Sequence, residues 1–416
     1  MEFTLALNHR KTFSAIQGVL LSFLLFFAFT RGFFQLLLPK PITMMAQVLG
    51  VSGVCFYFLV KSPLKLDIKT KPVLLLVLSF AVVVSLSAIW TILTMNSIKW
   101  FVYFFFTLFF LLQFLFSMSL FLNEIRVPSL PKILLFWGWT LFLVSIIEMF
   151  KLIKLPGSSE LWFLRRPASL TGSMLHYPII MALLGGIFLS FYQRTKEKVH
   201  LWSGCIFSLI PFTVLSRSGI FIVGSFFLFC FLQLPLVNMR KFLRIILVFL
   251  GVFAICTLMY GGINTSSESD EESLPSLMFT RITSAVNKSA KGNNTRLITW
   301  SRVTKEWQNT NLIFGEKMGE YTNSTAFLNR EGRGRISESS ILQQLMNFGF
   351  VGAFTFYILL LLPLWIMKRS SYMFRGIYLA GLLQTLFVQS IEVVSYMSLL
   401  LMIPWIGQEN SISKDS

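Results

Sequence analysis

The sequence predicts an all-α polytopic membrane protein with about twelve transmembrane helices and one large external loop. Hydrophobic residues make up 55% and charged residues 13% of the 416 residues, whereas soluble domains carry roughly 25% charged residues. Apolar runs long enough to cross a bilayer recur along most of the chain. The one long polar interval between them runs from Gly261 to Glu338.

The predicted spans follow from the rule that a membrane helix needs about 20 mainly apolar residues. They lie at Phe13–Thr30, Ile42–Val60, Pro72–Trp90, Ile98–Leu122, Ile133–Phe150, Leu175–Tyr192, Leu201–Leu215, Ile220–Leu236, Phe242–Tyr260, Ser340–Met367, Ile377–Glu392 and Val394–Ile406. Residues 1–260 therefore hold spans one to nine, and residues 261–338 form the external loop. Residues 339–416 hold the last three spans and a cytoplasmic tail.

The basic residues predict the orientation in the membrane. With the amino terminus in the cytoplasm, the cytoplasmic segments hold more than twice as many Lys and Arg residues as the short outer loops. This asymmetry is typical of membrane proteins, so both termini are predicted inside and the long loop outside. It also accounts for the net charge of +18 without a nucleic acid partner.

The external loop is predicted to contain two short amphipathic helices. Helical spacing relates Leu274 to Val286, and it places Leu297, Trp300, Val303 and Trp307 on one face. Helices of this kind could lie on the membrane surface, or they could form a small cap with a core of its own.

Arginines gather in three polar segments on the predicted outer side. The first segment holds Arg165, Arg166 and His176, just before the sixth span. The second is the tight turn that contains Arg217, and the third is the long loop. That loop carries Arg296 and a final stretch with Arg330, Arg333, Arg335 and Glu338. Guanidinium groups bind phosphate oxygens through paired hydrogen bonds, so the arginines indicate an anionic ligand such as a diphosphate.

Arg217 is the most informative of these residues, because it lies between two apolar runs with almost no loop around it. A charge at that depth usually lines a cavity or meets a partner. The alternative is an arginine that reaches back to the interface and marks the end of a helical hairpin. The ligand-binding interpretation is favoured here.

Glu338 and His176 each allow a structural and a functional interpretation. Glu338 stands among serines where the loop meets an apolar helix, a pattern typical of helix capping. It could instead act as a general base that takes a proton from a sugar hydroxyl. His176 could be a hydrogen-bonded structural residue, or it could orient a phosphate or sugar.

No cofactor or metal is predicted. The chain has neither a glycine-rich phosphate loop nor a zinc-binding His-Glu-x-x-His helix. Its four cysteines, Cys55, Cys205, Cys230 and Cys256, fall inside apolar runs without paired spacing.

The chain resembles the family of bacterial O-antigen ligases and lipid-linked polysaccharide repeat-unit polymerases. The resemblance covers the predicted topology and three local patterns. One runs from Arg166 through Gly172 to Pro178, and a second is the Ser-Arg turn at Arg217. The third joins Arg296 and Trp300 to Gly315 and Gly319, then to the Glu338-Ser339-Ser340 segment with Gly349 and Gly352.

The resemblance implies a membrane-embedded, class C-like glycosyltransferase with an external active site. Its substrate would be an undecaprenyl-diphosphate-linked oligosaccharide in the plasma membrane of a bacterium. Glu338 would act as the base and Arg217 as a catalytic arginine. The diphosphate and glycan would be bound by Arg165, Arg166, His176, Arg296 and Arg335. A flippase and a chain-length regulator would be partners, besides the membrane lipids.

Ligases of the family typically have His where this chain has Glu338, so the chain is more similar to the polymerases. Two other functions stay open. A ligase would move a finished glycan to another acceptor, and its loss would leave full-length polymer on the carrier. A flippase or other transporter would fit twelve spans, although the chain lacks the two-fold internal repeat of many transporters.

Overall fold

The computed structural model describes residues 2–64, 70–95, 98–123, 125, 127–161, 164–233, 291–322, 325, 337, 339–367 and 371–408. This part of the chain is predominantly helical. Its helices are α1 (Glu2–Phe29), α2 (Arg31–Leu37), α3 (Lys40–Lys61), α4 (Lys71–Thr94), α5 (Lys99–Leu122), α6 (Leu130–Met149), α7 (His176–Thr195), α8 (Lys198–Thr213), α9 (Arg217–Leu232), α10 (Lys291–Gln308), α11 (Ser340–Ile366), α12 (Tyr372–Phe387) and α13 (Val394–Gln408). Between α6 and α7 lie strands β1 (Ser159–Leu161) and β2 (Leu164–Arg166) and a 3₁₀ turn, Ser169–Thr171.

Six of the described helices are long and apolar enough to cross a membrane, namely α3, α4, α5, α6, α7 and α11. The pair α1 and α2 makes a seventh candidate if it is one span bent by 64°. Two shorter helices, α9 and α13, are also apolar. The chain is thus a helical, membrane-embedded protein, while the count of twelve spans stays a prediction. The predicted ninth span, Phe242–Tyr260, and the first predicted loop helix lie outside the described residues.

Helix α7 is the centre of the bundle, since 83% of its span is buried inside the protein. Small residues let its neighbours approach closely, as in many membrane bundles. A Cβ built on Gly185 would lie 2.8 Å from the backbone nitrogen of Ser208 in α8, and Gly204 of α8 meets Leu189 at the same distance. Helix α7 also packs against α9, α12 and α13.

The two ends of α7 define the two ends of the bundle. At its carboxyl end, Arg194 donates a hydrogen bond to the carbonyl of Gly407 and stacks over the Phe374 ring at 4.5 Å. At its amino end, a Cβ on Gly219 would lie only 3.1 Å from the carbonyl oxygen of Pro178, so α9 begins beside α7. We call this second end the arginine end, because Arg31, Arg166 and Arg217 lie there.

Helices α12 and α13 form an antiparallel hairpin, tied by a 2.6 Å hydrogen bond from Tyr396 Oη to the Gly381 carbonyl. The predicted eleventh span, Ile377–Glu392, ends earlier than expected, since α12 stops at Phe387. Residues 388–393 are not helical. The polar side chains of Gln389, Ser390 and Glu392 favour this early end. They form hydrogen bonds at the arginine end with the Tyr321 carbonyl, the Val388 carbonyl and the Gln343 side chain, respectively.

Helix α11 is interrupted at Gly349, where the backbone has φ 65° and ψ −168°. The amides that the break releases are satisfied from elsewhere, since Phe350 N bonds to Leu312 O at 2.7 Å and Val351 N to Ile313 O at 3.2 Å. Interrupted backbone is tolerated at membrane depth only when it is paired in this way. The break leaves a half-helix, residues 340–348, at the arginine end.

Candidate functional site

The turn before α9 fixes the position of Arg217. Leu215 adopts a left-handed backbone conformation with φ 53°, and Ser216 caps the helix by accepting a hydrogen bond from Gly219 N at 3.4 Å. Gly219 lies against Pro211 of α8 and the Pro178 carbonyl of α7. Arg217 is half-buried. Its backbone belongs to this packed turn between α7, α8 and α9, which fixes the point from which the side chain extends.

Replacing Gly219 by Ala is expected to push this turn away from α7. The added Cβ would lie 2.7 Å from the Pro211 Cβ, and overpacking of this kind costs about 1–3 kcal/mol. The glycan transfer that the resemblance implies should then be much slower than in the wild type, although most of the protein stays folded. Gly224→Ala is the matched control in the same helix, because nothing lies within 4 Å of the Cβ it would add. Equal activity of the two variants would contradict a role for the turn geometry.

Arg165 belongs to the hairpin formed by β1 and β2. Its Nε and Nη2 atoms both donate to Glu160 Oε1 at 3.2 Å, and Nη1 donates to the Ile153 carbonyl. Desolvation would raise the pKa of Glu160, but the hydrogen bond and charge of Arg165, together with Lys151, lower it. The Arg165 guanidinium thus holds the hairpin together, and its role in substrate binding stays a prediction.

Glu148 anchors the whole segment between α6 and α7. Its side chain is fully buried. Oε1 accepts a hydrogen bond from Leu155 N at 3.2 Å, and Oε2 accepts from Ala168 N at 3.0 Å and Ser169 N at 2.8 Å. These three backbone amides, with the Ser158 side chain as a further partner of Glu148, fold the loop that carries Arg166 back onto α6.

His176 begins α7 and lies near Arg31, whose charge acts on the imidazole. Arg31 follows the 64° bend between α1 and α2. Arg166 is half-buried on β2, six residues before Gly172. The sequence analysis did not single out Arg31, and it missed the place of Arg31 beside His176. The available signal was an Arg-Gly pair directly after an apolar run.

The serines on either side of Glu338 join the half-helix to the end of α12. Ser339 Oγ donates to the Leu386 carbonyl at 2.8 Å instead of capping α11, and Ser340 Oγ donates to the Val388 carbonyl at 2.9 Å. Ser337 is fully buried. Glu338 and Arg335 themselves lie outside the described residues, so their predicted roles stay predictions.

The start of α11 and the start of α9 lie at the same end of the bundle. Phe221 of α9 packs edge-on against Phe387, the last residue of α12, with ring centroids 5.6 Å apart. Ser339 bonds to Leu386, the neighbouring residue. Arg217 is one helical turn before Phe221, so the turn that holds it and the serine segment flank the same end of α12.

A buried polar cluster supports the half-helix, and sequence reasoning did not find it. Gln343 and Gln344 each donate a 3.1 Å hydrogen bond to Tyr103 Oη, and Gln343 also donates to Glu392. A cavity of about 20 Å³ adjoins Tyr103, Gln344 and Glu392, room for one water molecule. The sequence signal that could have revealed this cluster is the spacing of Gln343, Gln344 and Asn347, which places three polar side chains on one face of an otherwise apolar helix.

Helix α10 lies where the second helix of the polar interval is predicted, and it packs on the half-helix. Val303 is fully buried against Met346 and Tyr321, with Trp307 and Leu342 packed beside them. Arg296, two turns before Val303, is half-buried. Helix α10 therefore belongs to a folded cap that shares a small core with the half-helix, and Arg296 lies on that cap.

An apolar groove of about 560 Å³ lies along α11 and α12. It begins beside Trp307 and Ile341 at the arginine end and reaches Phe229 and Leu361 further along the helices. The other lining residues are Leu345, Phe350, Ala353, Phe354, Tyr357, Leu360, Leu379, Leu382, Leu383 and Leu386. The groove is therefore an apolar surface that begins at the polar end of the bundle.

No family model matches the chain. No curated protein matches it either.

Proposed function

We propose that the protein polymerises undecaprenyl-diphosphate-linked oligosaccharide repeat units in O-antigen, capsule or exopolysaccharide synthesis. The observation that carries the proposal is one end of the bundle where the Arg217 turn and the serines flanking Glu338 adjoin the same helix end, above an apolar groove. In the proposal, the Arg217 turn binds the anionic diphosphate, the Glu338 segment meets the glycan, and the groove takes the lipid chain.

The proposed reaction needs neither metal nor nucleotide sugar. A hydroxyl oxygen of the acceptor glycan attacks the anomeric carbon of the donor glycan, and the bond from that carbon to the diphosphate oxygen breaks. Glu338 takes the hydroxyl proton. Arg217, with Arg166 and Arg296, stabilises the charge on the departing undecaprenyl diphosphate. The growing glycan thereby moves onto the next lipid-linked unit.

In the proposed topology, twelve spans cross a bacterial plasma membrane with both termini in the cytoplasm. The arginine end faces outward, where flipped lipid-linked units arrive. The alternation of spans is supported by the described helices, because α7, α9 and α13 run away from the arginine end while α8 and α12 run toward it. A flippase would supply the substrate, and a chain-length regulator could act on the product.

The apolar groove is the proposed binding site of the prenyl chain. Filling its distant part by Leu361→Trp should raise the KM for an undecaprenyl-linked substrate about fivefold, equivalent to about 1 kcal/mol, since each buried CH₂ contributes about 0.8 kcal/mol. A substrate with a short prenyl chain, which ends before Leu361, should be unaffected. Leu86→Trp, on an exposed face of α4, serves as the control. Equal effects on long and short carriers would contradict the assignment.

Cells that lack the gene test the proposal directly. They should accumulate single repeat units on the lipid carrier or on the surface. Long glycan chains that persist without the protein would refute it. Full-length polymer trapped on the carrier would instead show that the protein is a ligase.

A further inference from the structure

The bend between α1 and α2 places Arg31 against the loop that precedes α7. Thr30, at the bend, donates its hydroxyl to the Phe26 carbonyl at 2.5 Å. Helix α2 then crosses the segment after the 3₁₀ turn at two glycines, since a Cβ on Gly32 would lie 2.9 Å from Gly172 N. Gly172 itself has φ 67°. A packed backbone crossing therefore holds Arg31 in place.

The Arg31 side chain is half-buried and has a hydrogen-bond donor without a partner. Its Nε atom is buried and makes no hydrogen bond. No acidic side chain in the described ranges forms an ion pair with it. The buried carboxylate of this end, Glu148, is already bonded to three backbone amides. By contrast, Arg165 is held by Glu160 and Ile153.

Withdrawing a guanidinium from water without a compensating anion is costly. The neighbouring imidazole of His176 supplies no negative charge, and Arg31 acts on it as a like-signed neighbour. An anion bound at this point would therefore interact with an arginine that is already desolvated and fixed in position. Planar guanidinium groups favour phosphate oxygens over other anions that lack paired acceptors.

We propose that Arg31 binds the diphosphate of a prenyl carrier, in a subsite bounded by α2, the 165–175 segment and His176. The identity of the carrier rests on the proposed function, but the chemistry that Arg31 recognises does not. A polymerase handles two carrier-linked substrates, the donor and the acceptor, and either could place its diphosphate here.

Binding of farnesyl diphosphate to the full-length protein in detergent, measured by calorimetry, tests the proposal without any polymerisation. Arg31→Ala should weaken binding at least tenfold, and Arg31→Lys should fall between Arg31→Ala and the wild type. Farnesol, which lacks the diphosphate, should bind all of these proteins equally. Lys40→Ala removes an exposed positive charge near the same end and should change the affinity less than twofold.

Unchanged farnesyl diphosphate affinity in Arg31→Ala would overturn the proposal. Should that variant fail to fold, Arg31→Gln keeps most of the side-chain length and is held to the same tenfold criterion. Extension assays then separate the two carriers, because Arg31→Lys should raise the KM for either the donor or the acceptor. A fall in kcat with both KM values unchanged would contradict a binding role.

The two proposals can fail separately. A wild-type protein that binds farnesyl diphosphate through Arg31 but never extends a glycan would refute the polymerase and keep the subsite. A protein that extends glycans while Arg31→Ala binds normally would refute the subsite alone.

Discussion

Replacing Arg217 by Ala should lower the rate of glycan extension by a factor of about 10²–10³. This is the usual effect of removing one preorganised hydrogen-bond donor that stabilises a developing negative charge. The expected cause is the loss of paired hydrogen bonds to the departing diphosphate. The turn itself should survive, since Ser216 and Gly219 hold it through the backbone and the Ser216 hydroxyl. The measurement is the initial rate of extension at equal amounts of folded protein.

The matched control is Arg375→Ala, which removes an arginine from the first turn of α12 at the opposite end. It should leave the rate within about twofold of the wild type, as is usual for positions outside the site. Arg217→Lys should retain part of the activity, because an ammonium keeps the charge but cannot donate a parallel pair. If Arg217→Ala were as active as Arg375→Ala, Arg217 would be only the marker of a hairpin end.

Glu148→Ala should strongly destabilise the folded protein. It leaves the amides of Leu155, Ala168 and Ser169 buried without an acceptor. Each unsatisfied buried group costs about 1–3 kcal/mol, so we expect a loss of about 3–5 kcal/mol, comparable to breaking a buried ion pair. Thermal unfolding in detergent measures it, and activity should fall with stability because the loop carries Arg166 and His176.

Glu148→Gln should lie between the wild type and Glu148→Ala. Its amide oxygen can still accept from Ala168 and Ser169, whereas its NH₂ group would face the donor of Leu155. Glu197→Gln is the control, since its carboxylate is 60% exposed beside His200. If both glutamine variants unfolded at the same temperature, the three amide bonds to Glu148 would not hold the loop.

The apolar runs predicted most helices because burial in lipid requires little more than length and composition. The predicted span Ser340–Met367 corresponds closely to α11, Ser340–Ile366. The break at Gly349 could not be predicted from the same run. It depends on the carbonyls of Leu312 and Ile313, which a local pattern in α11 does not contain.

The sequence likewise predicted only part of the candidate site. Arg217 stood out because a lone charge between apolar runs is costly, and the structure puts it in a packed turn. Arg31 was not recognised, since its importance comes from the crossing of Gly32 with Gly172. The partners of Glu148 were also unexpected, because backbone amides leave no trace in a sequence.

The most direct test of glycan transfer at the arginine end is extension of a defined undecaprenyl-diphosphate-linked repeat unit by the purified protein. The products are separated by size, with Glu338→Gln assayed in parallel. The proposed function predicts a ladder of lipid-linked oligomers without added metal or nucleotide sugar, and almost none from Glu338→Gln. A wild-type protein that leaves the repeat unit unextended, or a Glu338→Gln variant that makes the same ladder, would contradict it.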